Sequence, residues 1–468
     1  MELTLAIDFG STYTKVVALD LTKEELVGVA QAPSTVDTDM TISLHAAVDK
    51  LCVQTGLGKI QPDRVLGSSS AAGGLRVVAA GLVQALTTKA AQEAALGAGA
   101  KLVGSYANGL SEDDVREIEE IAPDMILLTG GTDGGNKDCL IHNAALLAES
   151  TLVPPFIIAG NKRAASEARA LLEKKGKEAL VVENVLPELD VLNVEPARAA
   201  IRDVFMRRIV RGKGLDKARA FVGDILMPTP SAVLLGARLV AEGAGDESGL
   251  GELVVVDVGG ATTDVDSIAH GLPSGADVVV KGLAEPYMKR TVEGDLGIRY
   301  NADTILEKAG KRKIVSTLAA MDGTLVERIN LEATVANLSA HIDTVPQDDA
   351  GYCLDVGLAC TAVELAMERH CGKIEEVYFP TGKARIQHGK DLGNIQTVIG
   401  TGGVFAYGRG PRRILEACCQ NTEHFESLRP QHPDFYIDEK YILFAVGLLA
   451  EIAPEPVLRI IKRHLKRV

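Results

Sequence analysis

Apolar residues fall in short blocks along this chain, and two of the blocks end alike. Leu5-Ala6-Ile7 runs into Asp8-Phe9-Gly10-Ser11-Thr12-Tyr13-Thr14-Lys15. Much later, Val254-Val255-Val256 runs into Asp257-Val258-Gly259-Gly260-Ala261-Thr262-Thr263-Asp264-Val265. Each block predicts a buried strand, a glycine turn and a returning strand; Val16-Val17-Ala18-Leu19 resumes the apolar run at once. Helical spacing appears at 44–55, 75–98, 111–121, 138–149 and 162–175, and 301–340 is largely helical. Strands are predicted at 125–128 and 156–160, with further short ones at 376–380 and 397–403; a loop at 420–435 precedes the final helices. Strand and helix signals alternate, which predicts α/β layers. Each strand–Asp–glycine unit is followed later by a strand running into Thr-Gly-Gly, at 129–131 and at 401–403. This predicts a duplicated architecture with lobes 1–240 and 241–468 around a cleft. The polar, glycine-rich stretch 243–251 reads as the turn or hinge ahead of the second unit.

At 468 residues and 46% hydrophobic, the chain can build two or more cores. A net charge of −14 argues against a nucleic-acid partner. The basic stretch 459–467 reads as a solvated helix face. The amino terminus enters a strand without a basic leader. The best apolar stretch, 442–450, is too short to span a membrane and stops at Glu451. A soluble cytoplasmic protein, with no membrane contact, is the expectation. Seven cysteines without a C-x-x-C read as reduced, mostly buried thiols.

The two turns carry the chemistry. Glycine permits the tight turn and close backbone approach. Backbone N–H groups and hydroxyls then bind phosphate oxygens. An Asp at each strand end suits Mg²⁺ held through water. P-loop and dinucleotide fingerprints are missing: Phe405 stands where Gly400-x-Gly402 would need its third glycine. One such turn is a weak signal; five elements in order are a strong one. After the first turn come 228–237 (Pro-Thr-Pro-Ser-Ala-Val-Leu-Leu-Gly-Ala), then the second turn, then 398–405 (Val-Ile-Gly-Thr-Gly-Gly-Val-Phe), then 438–450. Small residues in the second and fifth elements predict two helices that cross closely.

This order resembles the actin, sugar kinase and heat-shock-70 ATPase superfamily: phosphate 1, connect 1, phosphate 2, adenosine, connect 2. The resemblance implies a two-lobed actin-like ATPase fold, with duplicated ribonuclease-H-like domains around a nucleotide cleft. It implies ATP and Mg²⁺ as ligands. Gly10, Ser11, Thr12, Thr14 and Lys15, with Gly259, Gly260, Thr262 and Thr263, would face the phosphates. Gly400, Gly402 and Gly403 would leave room for adenosine. Asp8 and Asp257 would orient hydrated Mg²⁺, and Asp8, Asp257 and Asp264 form the catalytic set. The chaperones of that superfamily carry a Glu before the connect 1 proline, where this chain has Met227; the nearest acid is Asp224, and Asp264 lies close to the second loop. The hydrolytic base stays open, and water oriented rather than deprotonated fits slow hydrolysis.

Segments 67–75, 127–136 and 290–299 look like the MutL family of glutamate mutase accessory proteins. That family implies an ATPase acting as reactivating chaperone for an adenosylcobalamin-dependent mutase, with a homo-oligomer as one option. The alternatives are a small-molecule kinase and a hydantoinase-type ATP-dependent hydrolase. An iron–sulfur activator of radical dehydratases is disfavoured, because no Cys occurs between Thr263 and Cys353. In 290–299, Arg290, Glu293, Asp295 and Arg299 read as an ion-pair network at a lobe junction. Residues 68–74 read as a helix N-terminus, able to meet an anion or simply capped.

Overall fold

The computed structural model describes residues 2–10, 12–35, 38–56, 58–70, 76–83, 90, 94, 101–189, 191–212, 225–275, 277–282, 285–321, 329–379, 382–421 and 425–468. Ser11, Asp224, Pro380, 71–75 and most of 84–98 therefore lie outside the described residues. Two mixed sheets share one strand order. In the first the order is Ile225–Pro228, Arg64–Ser69, Leu3–Phe9, Tyr13–Asp20, Glu25–Pro33. In the second it is Asp434–Asp438, Thr397–Thr401, Leu253–Val258, Thr263–Ile268, Met288–Glu293, with Leu465–Arg467 added beyond the first of these. Each sheet is an antiparallel meander of three strands, extended on one side by two parallel strands. The protein is mixed α/β, as its alternating pattern predicts.

Strand alternation sends the two faces of each sheet to different cores. Leu3, Leu5, Ile7 and Phe9 pack towards the helix Met40–Thr55, and Val254, Val256 and Val258 towards the helix Asp349–His370. The opposite faces contribute Ala6, Val17, Leu253, Val255 and Ile268 to a central layer. That layer is built on the helices Thr229–Glu242, Leu443–Leu449 and Pro454–His464. The first two cross with glycine against glycine. A Cβ on Gly447 would stand 1.7 Å from Ala232 O and 2.9 Å from Gly236 N, and one on Gly236 would stand 2.5 Å from Leu443 O. The close crossing expected of the second and fifth elements is present.

A third, all-parallel sheet interrupts the first sheet between its strands Arg64–Ser69 and Ile225–Pro228. Its order is Lys101–Ala107, Arg76–Gly81, Met125–Leu128, Phe156–Ile158, Ala179–Val181. Val77, Ala79, Leu127 and Ile157 share the core of the first sheet, while Val78, Ala80, Leu128 and Ile158 pack under the helices Asp138–Ala148 and Lys162–Lys174. Burial on both faces removes the polar alternation that marks a half-exposed strand. Three expectations change here. Residues 76–81 are a strand, not the start of a helix at 75. Ser68 and Ser69 end a strand rather than open a helix. Thr129-Gly130-Gly131 ends a strand of this third sheet, so it is not the counterpart of 401–403. The register shows the counterpart: Ser68 lies opposite Asp8 as Thr401 lies opposite Asp257.

Among the described residues one helix, Asp349–His370, is long and apolar enough to cross a membrane, longer than the 442–450 stretch singled out above. Its Leu354, Leu358, Ala362, Val363 and Met367 are core residues beneath the second sheet, which accounts for its composition. Stretch 243–251 is a short hairpin, Gly243–Ala244 against Glu247–Ser248. None of the seven cysteines is in a disulfide; Cys139, Cys360, Cys371 and Cys418 are buried.

Candidate functional site

Asp8 and Asp257 end the faces that point into the central layer, two residues beyond Ala6 and Val255. There the packed helices give way to a cavity of about 740 Å³ that both turns line. The turns close identically. Gly10 N donates to Tyr13 O at 3.0 Å, and Gly259 N donates to Thr262 O at 2.9 Å. In register, Asp8 faces Lys15 and Asp257 faces Asp264. The same period-2 rule puts Lys15 and Asp264 on the cavity face.

Asp8, Gly10, Thr12, Lys15, Asp257, Gly259, Gly260, Thr262, Asp264 and Gly403 line the cavity. Four other candidates stand elsewhere. Thr14 points to the far face, its hydroxyl 2.8 Å from Ser43 Oγ. Thr263 donates to Leu296 O at 2.7 Å. A Cβ on Gly400 would meet the Phe405 ring. Gly402, at φ +101°, supports the wall from behind: a Cβ there would lie 2.5 Å from Asp257 Oδ1. A side chain at 402 would be strained and would displace the carboxylate.

Asp8 is held from both sides. Thr229 Oγ1, at the first residue of the crossing helix, donates to Oδ1 at 2.6 Å; Lys15 Nζ donates to Oδ2 at 3.2 Å. Thr229 Oγ1 is also 3.1 Å from Ser68 Oγ. Lys15 Nζ sits 3.6 Å from the centroid of the Tyr441 ring, a cation–π contact. Burial alone would lower the Lys15 pKa, but Tyr441, Asp8 and Asp257 outweigh it and the ammonium is stabilised. Tyr441 has φ +55°, rare for a bulky residue, and its N donates to Asp438 O at 3.1 Å. Asp438 fixes that turn: its carboxylate accepts from Ile442 N at 3.0 Å, Leu443 N at 2.8 Å and Thr401 Oγ1 at 3.1 Å. Burial raises its pKa against these donors.

On the second sheet, Arg290 Nη2 donates to Asp264 Oδ2 at 2.7 Å, and Arg290 Nε lies 3.9 Å from Asp266 Oδ1. Burial pushes Asp266 well above the ordinary carboxylate range, against the pull of Arg290. Burial and the neighbouring Asp264 raise Asp257 to about 7, although Lys15 and Arg290 oppose them. Between the ordinary Asp range and pH 7 the native state therefore holds more protons here than the unfolded chain. Stability contributed by Asp257 falls as pH rises through 7. We expect Asp257→Asn to raise the ligand-free urea midpoint at pH 8 and to flatten its pH dependence between pH 5.5 and 8. An unchanged slope would show that this carboxyl is not the group responsible.

Residues 290–299 do not form one network. Arg290 pairs with Asp264, and Arg299 holds Asp355 through bonds of 2.9 and 2.7 Å. Glu293 and Asp295 both meet Arg369, the latter at 2.9 Å. The cavity is also lined by Tyr300, Ile342, Val345, Pro346, Tyr352 and Tyr407. Arg409 stacks on Tyr352 at 4.2 Å. Tyr441, Asp266 and Tyr352 are cavity residues that motif reading passes over, and Arg290, read above as part of an ion-pair network, lines it too.

Over residues 4–465 the chain matches the family described as MutL protein. Protein MutL of Clostridium tetanomorphum is 46% identical over 468 residues, covering 100% of this chain and 100% of that protein. Among solved structures, a glycerol dehydratase reactivase is similar at TM-score 0.34 and 10% identity, covering 96% of this chain and 99% of that one. Xylulose kinase from Bifidobacterium adolescentis is similar at TM-score 0.31 and 12% identity, covering 97% and 92%.

Proposed function

The chain belongs to the MutL family, and from that premise we propose that it binds and hydrolyses ATP with Mg²⁺ to drive reactivation of an adenosylcobalamin-dependent mutase such as glutamate mutase. The observation that carries the nucleotide part is the pair of identically closed turns lining one cavity. The same cavity is lined by the rings of Tyr300, Tyr352 and Tyr407, with Arg409 stacked on Tyr352. Charged groups and flat rings around one cavity suit a molecule with a charged tail and a flat base.

The donor set fits Mg²⁺. Among the described residues at the turn end, Asp8, Asp257, Asp264 and Asp266 face Lys15 and Arg290, so carboxylates exceed cations there. Carboxylate oxygens beside an open cavity suit a hard cation that keeps several waters. In this reading Asp8 and Asp257 hold the hydrated ion, which neutralises phosphate charge when bound. Lys15 and the Thr12 and Thr262 hydroxyls orient the phosphates. Residues 1–240 and 241–468 form the two lobes of an actin-like ATPase, with the glycine crossing of Gly236 and Gly447 as their hinge. Closure on ATP and opening after hydrolysis would apply motion to the bound mutase.

The test is calorimetric and kinetic. The protein should bind ATP with Mg²⁺, hydrolyse it slowly alone, and hydrolyse it faster with the inactivated cognate mutase. Binding without any stimulation by that mutase would remove the reactivation reading. Absence of ATP binding would remove the nucleotide reading as well.

A further inference from the structure

Tyr441 carries a backbone cost. Its φ of +55° is one that glycine or asparagine adopts far more easily than a bulky ring. The turn itself does not call for tyrosine. Asp438, fully buried, fixes it by accepting from Ile442 N, Leu443 N and Thr401 Oγ1, and Asp438 O accepts from Tyr441 N. At 441 that bond belongs to the main chain, so asparagine or glycine would make it equally well. A strained position that keeps a large side chain is explained by what the side chain touches.

It touches Lys15, on the strand Tyr13–Asp20 of the first sheet, whereas Tyr441 stands just ahead of the crossing helix Leu443–Leu449. Nζ lies 3.6 Å from the ring centroid. Both residues line the cavity, and the Lys15 side chain keeps 12% of its surface exposed, so a ligand can reach the ammonium. An ammonium has three N–H donors. Asp8 Oδ2 takes one at 3.2 Å. The ring holds the charge by its π face, without the negative charge of a second carboxylate. The ammonium is therefore steered from two sides and still has attraction to offer an anion in the cavity.

We propose that Tyr441 is the positioning residue for Lys15: its ring, presented by the left-handed turn ahead of the crossing helix, holds the ammonium where the phosphates of the nucleotide meet it. This rests on the ATPase reading above and adds to it the residue that ties Lys15 to the helix Leu443–Leu449. Tyr441 itself takes no proton and forms no bond in the reaction; it acts through Lys15 by placing a charge.

The test uses the full chain with ATP and Mg²⁺. Tyr441→Leu, which keeps an apolar side chain and removes the π face, should weaken calorimetric ATP affinity about tenfold. Tyr441→Phe, which restores the ring without the hydroxyl, should recover most of that loss. In a Lys15→Met background, Tyr441→Leu should change the affinity by less than about twofold, because a residue acting through the ammonium has nothing left to act on. Wild-type affinity in Tyr441→Leu, equal losses in the Leu and Phe variants, or the full further loss in the Lys15→Met background each overturns the proposal. If Lys15→Met binds too weakly to titrate, the Leu and Phe pair decides alone. If Tyr441→Leu is unfolded by its melting curve, Tyr441→Asn, which accepts the left-handed backbone, takes its place. A wild-type protein that binds no ATP overturns the ATPase reading instead, an outcome distinct from variants that bind as tightly as the wild type.

Discussion

Asp8→Asn is expected to lower ATP hydrolysis by about 10³-fold and to abolish the dependence of nucleotide affinity on Mg²⁺, while the protein stays folded. Asn keeps an oxygen for the Thr229 hydroxyl, which donates at 2.6 Å. It then places an amide NH₂ where Oδ2 receives Lys15 Nζ at 3.2 Å. Two donors face each other, and among the described residues the ammonium keeps Tyr441 and Asp257 as favourable neighbours. Loss of this buried bond should destabilise by roughly 1–3 kcal/mol, within the reserve of a chain this size. The catalytic loss is larger because, in the proposed function, one carboxylate has two tasks: it aims Lys15 and would hold the hydrated cation. Calorimetry with and without Mg²⁺, beside single-turnover hydrolysis and a melting curve, separates these effects. Mg²⁺-dependent affinity equal to that of the wild type would show that Asp8 is no part of the cation site.

The contrast between Asp8 and Thr14 shows how far the sequence could be read. The two turns are legible because an apolar run ending in Asp, glycine and hydroxyls is local chemistry, and it occurs twice. Which hydroxyls face the cavity is also written there, in the period of two. Asp8 and Lys15 are paired across the hairpin and share a face, so Thr14 belongs to the other, where Ser43 meets it. Thr263 follows the same rule beside Asp264. Motif similarity without that parity placed both at the phosphates. Parallel pairing is not local, so the likeness between Leu128-Thr129-Gly130-Gly131 and Gly400-Thr401-Gly402-Gly403 misleads; Ser68, with no glycine pair beside it, is the register equivalent of Thr401. Residues 76–81 lose their strand signature because both faces are buried and alanine is frequent in the stretch that follows. The place of Tyr441 and the partner of Arg290 leave no local trace. One depends on a left-handed backbone residue secured by Asp438, the other on a neighbouring strand that brings it beside Asp264.

The second large effect is expected at the helix crossing. Gly447→Ala adds one methyl carbon, yet its ideal position is 1.7 Å from Ala232 O, 2.6 Å from Ala232 C and 2.9 Å from Gly236 N. These are backbone atoms of a packed helix, so no side-chain rotation relieves the overlap and the helices Thr229–Glu242 and Leu443–Leu449 must separate. Both are fully engaged in the central layer through Ala232, Val233, Val240, Phe444 and Leu448. Separation opens voids along that contact as well as forcing the methyl in, so the loss should reach about 3 kcal/mol, read as a lowered urea midpoint with unchanged slope. Gly236→Ala, 2.5 Å from Leu443 O, should act the same way and somewhat less. The two substitutions share one displacement: once the helices stand apart for the first methyl, much of the room for the second exists. The double variant should therefore lose clearly less than the sum of the single losses, a coupling that independent sites do not show. Additive losses, or a Gly447→Ala variant that melts with the wild type, would mean that the helices do not cross on these glycines.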